Sequence, residues 1–237
     1  MLGFVDYNLH AVVKVGGSLL RDRPTVERIH RCFEQISNAG KRVLLVPGGG
    51  PTDNTIESID VWAAFPPEIH HQACALAQDQ TAIMLSSSSF GDYLVPCRSM
   101  REAMLTLSRG KVPVIMPSGF IELLEPFEMT WTITSDSMAA WFGWVLRCKT
   151  VIVLTDVDGV YENYDSQTST NRLLDRICVR DLKKMGPTAV DACFAGFLEG
   201  TGIDAWVLNG AHPDRLVSLL LSQAEPIGTR ISNGETP

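Results

Sequence analysis

The segment Val12-Val13-Lys14-Val15-Gly16-Gly17-Ser18 constrains this chain more than any other. Its apolar, β-branched residues have the character of a buried strand, and the run breaks on two glycines. A helical pattern follows. Pro24 and Thr25 suit a first turn, and Val26, Ile29, Phe33 and Ile36 recur at helical spacing before Asn38-Ala39-Gly40 stops the run. A strand that feeds a glycine turn and then a helix brings bare backbone N–H groups and the positive end of a helix dipole to one point. That combination suits an anion. Lys14 lies inside the strand, and an isolated buried ammonium is costly. It must therefore reach an anion, a carboxylate or water. Two readings fit: a phosphate-binding lysine, or a strand-end lysine that snorkels beside glycines that only turn the chain.

The same punctuation recurs. Arg42-Val43-Leu44-Leu45-Val46 reads as a second strand ending at Pro47-Gly48-Gly49-Gly50-Pro51. Thr150-Val151-Ile152-Val153-Leu154 reads as another, running into Thr155-Asp156-Val157-Asp158-Gly159-Val160-Tyr161. Open parallel sheets gather ligands at the carboxyl ends of their strands, so the first two loops would face one ligand from both sides. The alternative for the triple glycine is a flexible turn. Elsewhere the pattern predicts helices within 66–88, over 100–108, over 138–146, from 180, around Phe194 and Phe197, and over 213–221. Strands are expected at Leu94-Val95, 112–116, 204–208 and 228–231. Leu173-Leu174 and 177–179 suggest a hairpin arm; 122–131 has no regular period and 162–171 is polar. Strand and helix alternating at least five times predict an α/β fold with a largely parallel sheet.

The 237 residues suffice for a sizeable core, and 45% apolar with 20% charged residues is ordinary for a globular chain. A formal net charge of -7 argues against nucleic acid or an anionic membrane as partner. It leaves room for a local cationic pocket and a small anionic substrate. The first six residues lack the basic and apolar regions of a signal peptide, and the most apolar segment, 138–146, is half the length of a membrane span. Six cysteines without a C-x-x-C pair read as reduced thiols of a cytoplasmic protein. The adjacent His70 and His71 point to different helix faces, a poor metal site, and read as surface or interface residues. No metal site built from protein side chains is expected. Trp62, Phe65 and Trp206 are either core or interface. Asp136 follows Thr134-Ser135 at the head of a helix, where spacing favours a cap; the functional alternative is a carboxylate that holds Lys14 or contacts a nucleotide's metal ion.

Taken together, Lys14-Val15-Gly16-Gly17-Ser18, Pro47-Gly48-Gly49-Gly50-Pro51, Thr134-Ser135-Asp136-Ser137, Thr155-Asp156-Val157-Asp158-Gly159-Val160-Tyr161, Asn209-Gly210 and Gly228-Thr229 occur in an order that resembles the amino acid kinase family. The resemblance covers nearly the whole chain. It implies a three-layer α-β-α sandwich formed by residues 1–237 as one domain, with an acceptor-binding lobe over 1–131 and a nucleotide-binding lobe over 132–237. It implies ATP with Mg2+ and a homo-oligomer. Carried onto this sequence, Lys14 would stabilise the transferring phosphoryl group and Asp136 would orient Lys14. Gly16, Gly17, Ser18, Gly48, Gly49 and Gly50 would line the phosphate and acceptor side, the glycines through their backbone donors. Thr155, Asp156, Gly159 and Tyr161 would line the nucleotide pocket. Within the family, Trp131-Thr132-Ile133-Thr134-Ser135-Asp136-Ser137-Met138-Ala139-Ala140-Trp141 is similar to the aminomethylfuran-methyl phosphate kinases of methanofuran biosynthesis and their relatives in one-carbon metabolism. A uridylate or amino-acid carboxylate acceptor stands behind that reading. Family members usually carry a second lysine in the C-terminal half. Here Thr155-Asp156-Val157 and residues 186–191 occupy its usual places without one. Lys183, Lys184 and Arg180 are the remaining candidates, and a nucleotide- or oxyanion-binding storage protein on the same fold is the alternative function.

Overall fold

The computed structural model describes residues 5–162, 172–186, 188–222 and 224–234. The polar stretch expected over 162–171 therefore lies, from residue 163 on, outside the described residues, as do the first four residues and Pro187.

The chain opens with β1 (Ala11–Val15), a short 3-10 turn (Gly17–Arg21) and α1 (Arg23–Asn38). Asp22 caps α1 by accepting the Thr25 N–H at 3.0 Å, and the helix buries Val26, Ile29, Phe33 and Ile36 as its periodicity requires. β2 (Val43–Pro47) leads into α2 (Gly50–Ala63) and α3 (Pro67–Leu85). Next come β3 (Leu94–Cys97), α4 (Met100–Ser108), β4 (Val112–Ile115) and α5 (Ser118–Leu124). The second half holds α6 (Ser135–Val145), β5 (Thr150–Thr155), β6 (Arg176–Cys178), α7 (Val179–Met185) and α8 (Phe194–Thr201). It ends with β7 (Asp204–Asn209), α9 (Asp214–Val217) and β8 (Thr229–Ser232).

Among the described residues the eight strands form one sheet in the order β3-β4-β2-β1-β5-β7-β8-β6. Six run parallel; β8 is antiparallel to β7, and β6 follows β8 in parallel. Residues 173–174 and β6 thus do not pair as the hairpin arm that their sequence suggests. Leu173 bridges to Tyr161, and β6 joins the far edge of the sheet. α5 is not among the helices that the sequence predicts, and its last residues enter the 122–131 stretch that shows no regular period. It is a short helix of seven residues whose Ser118 is fastened to Asp79 through both its N–H and its hydroxyl, a tertiary contact rather than a local signal.

Alternation on the central strands divides the core. Val12, Val46 and Val153 face the layer that contains α4, α6 and α8, while Val13, Val15, Leu45 and Leu154 face α1. The result is a three-layer α-β-α sandwich. Phe33, Phe142 and Phe194 are fully buried, and truncating any one to Ala is expected to cost about 3–5 kcal/mol. Trp206 belongs to the core, whereas Trp62 is 76% exposed. All six cysteines are free thiols.

Candidate active site

β1 and β5 lie side by side at the centre of the sheet, so the loops after β1, β2, β5 and β7 share one end. Lys14 points to the α6 side of the sheet, as its alternation with Val13 and Val15 demands. There its Nζ sits 2.8 Å from Asp136 Oδ1, with the two side chains 12% and 8% exposed. The carboxylate satisfies the buried ammonium, which answers the question that the sequence leaves open about this lysine. Asp136 is not the cap that spacing favours. Thr134 caps α6 instead, and this frees Asp136 in the first turn to reach across to β1.

The two glycine loops close on each other backbone to backbone. A Cβ added to Gly17 would overlap Gly50 Cα and N, and one on Gly48 would stand 2.9 Å from Gly17 N. Gly50 adopts φ +66°, open to glycine at little cost. Two of the loop N–H groups are spent internally: Gly16 donates to Leu154 O at 2.9 Å, and Gly48 to Val15 O at 2.9 Å. Ser18 is half-buried in the turn that follows. Gly49 has the Asp53 carboxylate pressed against the position a Cβ would take. Burial pushes Asp53 up to about 6, against the opposing pull of the Cys74 thiol, the Gly49 N–H and the charge of Lys14. Its Oδ1 is buried without a hydrogen bond among the described residues.

Beneath this cluster lies a carboxylate the sequence did not single out. Asp191 accepts from Thr134 N–H and hydroxyl, from Ser137 N–H and hydroxyl, and from Cys193 and Phe194 N–H, at 2.6–3.0 Å. One side chain thus ties the heads of α6 and α8 together. Its own N–H donates to Asp136 Oδ2 at 3.2 Å, which holds the carboxylate that pairs with Lys14. Burial and then the neighbouring charge of Asp136 raise the Asp191 carboxyl above its ordinary range. The α6 partners Thr134, Asp136 and Ser137 lie 54–57 residues away along the chain, beyond any spacing rule.

On the other flank, Thr155 ends β5 beside an exposed Asp156, and Gly159 packs so tightly on Thr229 that a Cβ would overlap its hydroxyl. Tyr161 is half-buried and bridges to Leu173. Asp158 accepts from Arg215 at 2.5 Å and from Asn209 at 3.1 Å. Burial pushes its carboxyl up, but these bonds and the Arg215 charge outweigh it and hold the group below its usual range. Gly210 carries Leu19 of the first glycine turn against its Cα, so the loop after β7 abuts the loop after β1. On α7, Lys183 and Lys184 are tied into ion pairs with Glu199 of α8 and Asp181 and are 55% and 69% exposed; Arg180 is exposed on the same helix.

His70 is not a surface residue. It is 7% exposed, stacks on Trp131 at 4.6 Å and lies 3.4 Å from Asp60. Trp131 donates its indole N–H to the same carboxylate at 2.9 Å, which joins α2, α3 and the segment before α6. Among the described residues no group of three His, Cys, Asp or Glu side chains forms a metal site. Mg2+ usually takes one or two carboxylates with substrate phosphates and water, and the exposed Asp156 fits that limited demand.

The [5-(aminomethyl)furan-3-yl]methyl phosphate kinase of Methanocaldococcus jannaschii is 28% identical over 209 residues, 88% of this chain and 92% of that one. A uridylate kinase of Halorubrum lacusprofundi is 25% identical over 90% of this chain and 89% of its own. The crystal structure of uridylate kinase from Archaeoglobus fulgidus superposes with a TM-score of 0.74 at 20% identity, covering 94% of this chain and all of that one. The model of the amino acid kinase family matches residues 10–209, and the chain belongs to that family.

Proposed function

We propose that this protein transfers the γ-phosphoryl group of ATP to a small phosphate monoester, and that the acceptor is a furan-methyl phosphate. That the chain is a small-molecule kinase follows from its family; the acceptor is the proposal. The observation that carries the reading is the Lys14–Asp136 pair, buried at the foot of two mutually closed glycine loops. Phosphoryl transfer needs positioning and charge neutralisation more than covalent chemistry, and a fixed ammonium beside closely packed backbone supplies both. An ionised phosphate acceptor needs no general base. In this reading Lys14 lies against the transferring group and Asp136 aims it. Gly17, Ser18, Gly49 and Gly50 face the phosphates, and Gly16 and Gly48 hold the loops in shape. Residues 1–131 receive the acceptor and 132–237 the nucleotide, with Thr155, Asp156, Gly159 and Tyr161 along its pocket. Mg2+ would be held chiefly by the nucleotide's phosphates and would neutralise their charge.

The furan-methyl phosphate is favoured by the similarity to the M. jannaschii kinase and by the His70–Trp131 stack, an aromatic wall on the acceptor side. Uridylate is the second candidate, from the uridylate kinase relatives. Ile69, Leu76 and Ile83 recur every seventh residue on α3 and are about half exposed; a homo-oligomer that covers this stripe is part of the proposal. So is a cytoplasmic location; no helix among the described residues is long and apolar enough to cross a membrane.

The test is ADP release with Mg-ATP against [5-(aminomethyl)furan-3-yl]methyl phosphate, uridylate, isopentenyl phosphate and acetylglutamate. Turnover with the furan-methyl phosphate at least tenfold above the others supports the proposal. Preference for another acceptor replaces the substrate and keeps the kinase. ATP binding without release from any of them favours the storage-protein alternative.

A further inference from the structure

We propose that Arg215 is the second phosphate-facing cation of this site and binds the β-phosphate of the nucleoside triphosphate. The inference rests on the kinase reading and extends it to a residue that neither sequence pattern nor family motif singles out.

The chemistry sets the demand. An acceptor phosphate oxygen forms a bond to the γ-phosphorus, the bond from that phosphorus to the β–γ bridging oxygen breaks, and its electron pair stays on ADP. Negative charge grows on the β-phosphate side as the bond breaks, and a preorganised cation there lowers the barrier. Lys14, in the proposed reading, lies against the transferring group and is held there by Asp136. The leaving side needs another positive charge.

The described cations of the C-terminal half can be sorted by place. Lys183 and Lys184 are neutralised on the exposed face of α7, and Arg180 is exposed on the same helix. Arg172 is 76% exposed beside Glu162. Arg176 pairs with Glu225 on the edge strand β6. Arg147 and Lys149 precede β5, and Arg230 pairs with Asp204 at the start of β7; all three belong to the end of the sheet away from the glycine loops. Arg215 differs from all of them. Its side chain is 15% exposed, and it stands beyond the carboxyl ends of β5 and β7, bonded to Asp158 of the loop after β5. Asn209 donates to the same carboxylate and accepts the Ala211 N–H, which fixes the turn that carries Arg215. Gly210 brings that turn against Leu19, two residues after Gly17. The guanidinium therefore flanks the corridor between the first glycine loop and the Asp-Val-Asp-Gly loop.

One carboxylate oxygen engages Nη1 of Arg215. A guanidinium presents five donors in a planar fork, so most of its capacity remains for phosphate oxygens while Asp158 keeps it aimed. His212 adds a further neighbour whose charge acts on Asp158.

The experiment compares ATP, ADP and AMP binding to the full-length protein and to Arg215→Gln by titration calorimetry. The glutamine variant is expected to lose about tenfold or more in affinity for ATP and ADP while AMP affinity stays unchanged, because AMP lacks the β-phosphate. Equal loss for all three nucleotides, or no loss, overturns the assignment. Failure of the wild-type protein to bind any of the three overturns the kinase reading instead. Should the variant not fold, the wild-type structure with ADP bound decides. A guanidinium hydrogen-bonded to the β-phosphate supports the proposal, and one bonded to Asp158 alone overturns it.

Discussion

Two cation–carboxylate pairs stand at the same end of the sheet, and they are built differently. Lys14 lies within a central strand, and both members of the Lys14–Asp136 pair are nearly sealed from water. The carboxylate is held from behind by the Asp191 N–H, and Asp191 is itself locked by donors from two helix heads. Arg215 lies in the first turn of a helical segment, α9 continued by a π-helical stretch (Ser218–Ser222), beyond a strand, and its partner Asp158 is 37% exposed. The first pair is fixed by the whole core. The second is fixed by one loop and can yield to a ligand. A buried charge whose partner is removed is far more costly than a half-exposed one, so the two pairs should respond to substitution on different scales.

The largest effect is expected from Lys14→Met, which should lower turnover by about a thousandfold or more and leave Asp136 uncompensated, at about 3–5 kcal/mol of stability. Steady-state kinetics and urea unfolding read both; near-normal turnover in a folded variant would break the comparison at its root. Asp136→Asn should cost about 3 kcal/mol, and circular dichroism during denaturation measures it. Asp53 sharpens the acceptor side through pH. Its folded carboxyl titrates at about 6, above the ordinary 3.8. Its protonation therefore contributes stability that is full below pH 3.8 and lost as the pH rises through 6. Asp53→Asn lacks that loss, and its stability relative to wild type should rise by about 2 kcal/mol from pH 4 to pH 8. A flat difference across that range would show that the carboxyl is not held protonated. The smallest effect belongs to Asp158→Asn, which should cost about 1 kcal/mol or less of stability. A loss matching that of Asp136→Asn would erase the distinction between the pairs.

Much of the frame was legible in the sequence because it is local. Strands ending on glycine, the periodicity of α1 and the Thr134-Ser135-Asp136 start of α6 each depend on residues close together. Asp136 shows where local reasoning fails. Spacing favours a cap, yet the side chain answers a charge on a strand 122 positions earlier, a partner that the family motifs imply and no local pattern does. Asp191 and Arg215 were missed for the same reason: each acts on partners more than fifty residues distant. His70 differs from its sequence reading because one of two adjacent histidines near a helix start looks solvated until Trp131 and Asp60, distant in sequence, close over it. A carboxylate three residues after the triple glycine, Asp53, is a signal in plain view, although its burial against Gly49 shows only in the folded chain.

The contact between Gly17 and Gly50 has a meaning for change over generations. A Cβ on Gly17 would fall on the Gly50 backbone, and one on Gly50 would crowd Gly17 O at 3.2 Å on a backbone already at φ +66°. Neither can drift alone. A lineage or a mutagenesis library that alters one must first part the loops, and parting them moves both walls of the phosphate site together. Diversity in this scaffold is therefore channelled away from the glycines and into α2, α3 and the segment before α6, where a new acceptor can be accommodated while the machinery of transfer stays as it is.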